Sequence, residues 1–203
     1  MKTPGPVMTD YTNEFDALIF DCDGTLTDSM PLHYIAWKET LDGYGIEFTE
    51  ARFYTMGGMP SEKIIDVLSR EQSVDVDADR AAEKKEATFV TLMDRLEMKA
   101  DVVQIARRHL GKLPMAVASG GIRPIIDRQL RQIGVTDLFS VVVTAEDTAL
   151  HKPEPDVFLK AAEKLGVDPT RCLVFEDSHL GFTAAEKAGM AWVDVRNTTE
   201  SLR

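Results

Sequence analysis

Asp21 and Asp23 stand one residue apart after the apolar run Ala17-Leu18-Ile19-Phe20, and Gly24 and Thr25 follow at once. A short run of that kind suits a strand buried on both faces, and open α/β sheets place their ligands just beyond the carboxyl ends of such strands. Side chains alternate along an extended chain, so both carboxylates face the same way if that geometry persists through Cys22. One can then attack an electrophile while the other moves protons. Carboxylates this close repel, and one is driven to bind a proton unless a cation intervenes. Mg²⁺ suits the role, because it prefers oxygen ligands and takes one or two carboxylates together with a substrate phosphate. Standing alone, Asp-x-Asp-Gly is also an acidic turn that merely ends a strand.

Later segments repeat the arrangement. The run Leu113-Pro114-Met115-Ala116-Val117-Ala118 meets Ser119-Gly120-Gly121, where a hydroxyl and backbone amides can cradle a phosphate or simply form a tight connection. Val141-Val142-Val143-Thr144 leads to His151-Lys152-Pro153, a cation ahead of a proline-opened helix; a single lysine is otherwise a solvated surface residue. Cys172-Leu173-Val174-Phe175 ends in Glu176-Asp177-Ser178, either more carboxylates at a strand end or an acidic loop. Together these runs call for a parallel sheet that gathers their ends.

The ordered set Asp21-x-Asp23-Gly24-Thr25, Ala118-Ser119-Gly120, Lys152-Pro153-x-Pro155-Asp156-x-Phe158 and Glu176-Asp177-Ser178-x-x-Gly181 resembles the haloacid dehalogenase superfamily of phosphotransferases. The resemblance spans nearly the whole chain and includes Ala184-Ala185-x-x-Ala188-Gly189-Met190. It implies Asp21 as the nucleophile that becomes an aspartyl-phosphate, and Asp23 as acid and then base. It implies Ser119 and Lys152 as partners of the phosphoryl oxygens, with Gly120 beside the substrate. A Mg²⁺ ion would be held by Asp21, Asp177 with Glu176 beside it, and the backbone carbonyl of Asp23. The second acid in the first loop argues for phosphorus over carbon–halogen chemistry.

Between the first and second loops the sequence turns helical, with expected helices over residues 31–41, 61–69 and 78–96. This insertion is similar to the small helical cap of the β-phosphoglucomutase branch of the superfamily. The expected division is an N-terminal arm over residues 1–12, a catalytic core of residues 13–28 and 97–203, and a cap over residues 29–96, hinged at Asp28-Ser29 and near Glu97. His33, one helical turn before Trp37, is placed to bond the Asp23 loop or the substrate, or to lie on the helix surface. Lys85 matches a substrate-facing cap lysine of that branch, although Glu83-Lys84-Lys85-Glu86 also reads as a solvated face. Arg123 could contact a sugar or cap its own helix. The β-phosphoglucomutases hold a second phosphate with a cap arginine, and Met56-Gly57-Gly58-Met59-Pro60-Ser61 has none. The chain is thus more similar to the sugar-phosphate phosphatases of the branch.

A net charge of −11 argues against nucleic acid as a partner. No apolar run approaches the roughly 20 residues that span a bilayer, and the first residues lack the apolar centre of a signal peptide, so a cytoplasmic protein is expected. Cys22 and Cys172 are the only cysteines, which sets aside a disulfide framework. The expected architecture is α/β: a Rossmann-like, doubly wound parallel sheet of about five strands with a small inserted helical cap. The expected function is Mg²⁺-dependent hydrolysis of a small sugar phosphate by a monomer or weak dimer. The alternatives are a β-phosphoglucomutase and, behind it, a non-enzymatic phospho-accepting receiver module.

Overall fold

A computed structural model describes residues 10–196 of the chain. The apolar runs form a five-stranded sheet, β1 (Ala17–Phe20), β2 (Met115–Ala118), β3 (Val141–Val143), β4 (Cys172–Glu176) and β5 (Ala191–Asp194), in the order β3-β2-β1-β4-β5. Every pairing is parallel, with Phe20 beside Val117 on one flank and Phe175 on the other. All residues of β1, β2 and β4 are buried, as expected for strands covered on both faces.

The period-two alternation of these strands divides the core. Leu18, Phe20, Val117, Leu173 and Phe175 face one apolar layer, closed by α5 (Ala100–His109) and α6 (Arg123–Gln132). Ala17, Ile19, Ala116, Ala118 and Val174 face the other, closed by α7 (Asp156–Leu165) and α8 (His179–Lys187). The expected doubly wound sheet is therefore present. The chain winds outward from β1 through β2 and β3, then returns to place β4 on the other side. Ligand crevices of α/β sheets open at such a reversal.

Residues between β1 and α5 form a helical insertion: α1 (Met30–Asp42), α2 (Glu50–Thr55), α3 (Ser61–Gln72) and α4 (Ala78–Leu92). It has its own apolar cluster, including Trp37, Leu41, Phe48, Phe53, Ile65 and Leu68. The chain enters and leaves it side by side, with Thr27 bridged antiparallel to Met98. Asp28 N–H donates to the Glu97 carbonyl and Lys99 N–H to that of Leu26, each at 2.9 Å. The short α2, capped by the Thr49 hydroxyl on Arg52 N–H, is an element the helical periodicity did not reveal. The last expected helix stops at Leu92 and gives way to a 3₁₀ turn over Met93–Arg95.

The expected arm, residues 1–12, overlaps the described residues only at its end. Residues 1–9 lie outside the described residues, as do 197–203 at the other end. Tyr11 is already buried, its ring edge-on to Phe175 at 5.6 Å, and opens a 3₁₀ turn capped by Asp10. An aromatic ring with a place in the core outweighs the Pro and Gly that precede it.

Candidate active site

The ends of β1, β2 and β4 and the loop after β3 enclose one side of a cavity of about 630 Å³; the insertion closes the other. Asp21 continues β1 by one ladder step, its N–H donating to the Phe175 carbonyl at 3.0 Å. Lys152 reaches in from the loop ahead of α7, and its ammonium donates to Asp21 Oδ1 and to Glu176 Oε2, at 2.7 Å each. Glu176 Oε1 accepts the N–H groups of Asp177 and Ser178, so both of its oxygens are engaged. That side chain lies against α8 only because Gly181 has no Cβ, which would meet Glu176 Cδ at 2.0 Å.

Asp177 takes a hydrogen bond from the Thr25 hydroxyl at 3.1 Å. It packs on Gly24, where φ is +78° and an added Cβ would lie 2.2 Å from Asp177 Oδ2. The position demands glycine twice, by backbone conformation and by close approach. Ser119 is buried at the end of β2, its hydroxyl accepting Gly121 N–H, and Gly120 beside it lines the cavity.

Oxygens of Asp21, Glu176 and Asp177 lie within 4.8 Å of one another. Burial pushes the Asp21 carboxyl well up, and the Glu176 and Asp177 charges add to this while Lys152 opposes it. Burial and then Glu176 push Asp177 up to about 7. The cluster thus carries more negative charge than one lysine neutralises. Asp21 and Asp177 each retain an oxygen without a protein hydrogen bond among the described residues. An all-oxygen donor set with unbalanced charge fits a hard divalent cation.

Asp23 stands outside that trio of oxygens. Its Oδ1 accepts from Ser29 Oγ at 2.7 Å, His33 Nε2 at 2.8 Å and Gln129 Nε2 at 2.9 Å. Burial works against its charge, but the adjoining His33 and these hydrogen bonds together hold the carboxyl well below its ordinary range. His33 Nδ1 faces Lys85 Nζ at 2.9 Å. An ammonium only donates, so Nδ1 accepts and Nε2 carries the proton toward Asp23. Lys85 also donates to Glu86 and lies over the faces of Trp37 and Phe89.

The structure therefore brings Asp21, Asp23, Ser119, Gly120, Lys152, Glu176, Asp177, His33 and Lys85 to one cavity. His33 takes the first of its expected roles, bonding the Asp23 loop. Lys85 is 3% exposed despite its mixed-charge surroundings. Arg123, the other expected substrate contact, does not line this cavity. Its guanidinium is bound to the Val142 carbonyl and to Asp147, because α6 directs it toward β3. Sequence reasoning missed Thr25, Ser29, Glu86 and Gln129. Gln129 had a signal, an amide in the apolar stripe of Ile125, Ile126 and Leu130.

Residues 15–189 match the model of the haloacid dehalogenase-like hydrolases. The chain is 38% identical over 183 residues to fructose-1-phosphate phosphatase YqaB of Escherichia coli (strain K12), covering 90% of this chain and 97% of that protein. It is 27% identical to β-phosphoglucomutase of Bacillus subtilis (strain 168), with 88% and 82% covered. A crystal structure of β-phosphoglucomutase from Clostridium difficile shares the fold at a TM-score of 0.81 and 24% identity, over 89% of this chain and 84% of that one.

Proposed function

This chain belongs to the haloacid dehalogenase-like hydrolases and is a phosphatase, and we propose that it hydrolyses small sugar monophosphates in a Mg²⁺-dependent reaction. The observation that carries the substrate reading is the chemistry of the cavity. On the sheet side Lys152 and Ser119 can meet one phosphate. On the insertion side the segment Met56 to Ser61 brings no arginine, Lys85 is held by Glu86 and His33, and Glu62 and Glu83 add negative charge. Carboxylates accept hydrogen bonds from hydroxyl groups and repel a second phosphate, which favours a polyol monophosphate. A mutase must hold two phosphates at once, and this cavity opposes the second.

In the proposed reaction Asp21 attacks phosphorus, the bond from phosphorus to the sugar oxygen breaks, and the electron pair leaves on that oxygen. Asp23 supplies its proton, then takes one from the water that cleaves the aspartyl-phosphate. The neighbours that favour an ionised Asp23 suit the base half; the dianionic substrate opposes that charge in the acid half. Lys152 and Ser119 hold the phosphoryl oxygens as charge spreads over them. Asp21, Asp177 and the Asp23 carbonyl would hold Mg²⁺, which would supply a positive counter-charge. Residues 29–96 serve as a cap over the core of residues 13–28 and 97–203, closing to exclude water and opening to release product.

A panel of phosphorylated sugars, sugar bisphosphates and nucleotides, assayed for phosphate release with Mg²⁺ and with EDTA, tests this reading. Sugar monophosphates should lead, EDTA should abolish turnover, and Asp21→Asn should be folded and inactive. Preference for bisphosphates, or isomerisation of a hexose 1-phosphate without phosphate release, would overturn it.

A further inference from the structure

We propose that Gln129 is a positioning residue that aims Asp23 at the leaving oxygen, and that it does so independently of the helical insertion. The inference rests on the hydrolase reading above. Gln129 is fully buried in the apolar stripe of α6, a position where an amide is costly unless both of its ends are bonded. Its Nε2 donates to Asp23 Oδ1 at 2.9 Å, and its Oε1 accepts from the Thr27 hydroxyl at 2.9 Å. A carboxylate only accepts, so this orientation of the amide is fixed by its partners.

All donors to Asp23 fall on Oδ1, which leaves Oδ2 without a donor among the described residues, on a side chain that lines the cavity. Ser29 and His33 belong to the linker and first helix of the insertion, whereas Gln129 belongs to the layer packed on the sheet. Movement of the insertion carries the first two with it. The Gln129 bond remains, and through Thr27, whose single hydroxyl proton is shared with the Cys22 carbonyl at 3.1 Å, it braces the loop on which Asp23 stands. Asp23 thereby keeps its direction while substrate enters and product leaves. As the bond from phosphorus to the alkoxide breaks, the electron pair goes to that oxygen and the proton on Asp23 Oδ2 moves onto it.

Gln129→Met keeps the length and apolar stem and donates nothing. Its kcat/KM, which reports steps through the first irreversible one, is compared for fructose 1-phosphate and p-nitrophenyl phosphate, whose phenolate leaves without a proton. A misaimed acid should cost about 10- to 50-fold with the sugar phosphate and less than about 3-fold with the aryl ester. Thr27→Val, which frees the far end of the amide, should shift the ratio the same way by a smaller factor, and it carries the test if Gln129→Met does not fold. An equal loss on both esters, or no loss, in the variants that fold would overturn the proposal and leave the hydrolase reading standing. A wild-type protein that hydrolyses neither ester would overturn both.

Discussion

Replacing Gly24 by alanine should damage the proposed cation site far more than the fold. At φ +78° an alanine costs about 1–2 kcal/mol of backbone strain, which for a chain of this size lowers Tm by roughly 2–8 °C. The added Cβ would also stand 2.2 Å from Asp177 Oδ2 and 2.7 Å from its Cγ, whereas ordinary contacts are about 3.5–4.0 Å. The carboxylate must therefore swing away by more than about 1 Å and lose its Thr25 hydrogen bond. A site for a hard cation that loses one of its few carboxylates should need at least about ten times more Mg²⁺ for half-maximal activity. Gly45 supplies the control, since its φ is +72° with nothing within 4 Å of an added Cβ. Gly45→Ala should bring a comparable loss of Tm and no change in Mg²⁺ dependence. Calorimetric Mg²⁺ titration without substrate, paired with the activity titration, reads the effect. Equal Mg²⁺ dependence in the two variants would refute the reasoning.

Further outcomes follow from the buried charges. Lys152→Met strands the buried Asp21 and Glu176 carboxylates, so urea unfolding in EDTA should show a loss of about 3 kcal/mol, partly restored by Mg²⁺, with turnover abolished; a loss that Mg²⁺ leaves untouched would count against the shared site. Asp147 is only modestly buried, and although that burial opposes its charge, Thr144, Lys164 and Arg123 lower its carboxyl to about 2. Its contribution is complete above the ordinary value of 3.8 and fades as pH falls through about 2. Solvent screening of this partly exposed cluster leaves Asp147→Asn less stable by about 1 kcal/mol at neutral pH, the gap closing toward pH 2 in chemical unfolding.

The residues easiest to anticipate were those whose surroundings are local. Asp21 and Glu176 follow directly from buried strands, and a strand fixes where its last side chain stands. The buried run Ala17–Phe20 likewise announces a central parallel strand. Residues whose fate depends on a distant partner were harder. Lys85 sits in a run of charges that reads as solvated, yet His33, Glu86 and the faces of Trp37 and Phe89 draw it inside. Arg123 follows the Ser119-Gly120-Gly121 turn in sequence but is captured by the carbonyl of an edge strand and by Asp147. Gln129 broke the apolar pattern of its helix, and only the fold shows which groups compensate it.

The ribbon made by Thr27 and Met98 joins the two ends of the insertion within one ladder step. Seen from the sheet, everything between them is one oversized hairpin loop, whose length can change without altering the strand ladder. A graft across this two-residue junction should nevertheless keep Ser29 and His33, because both reach back from the insertion to Asp23.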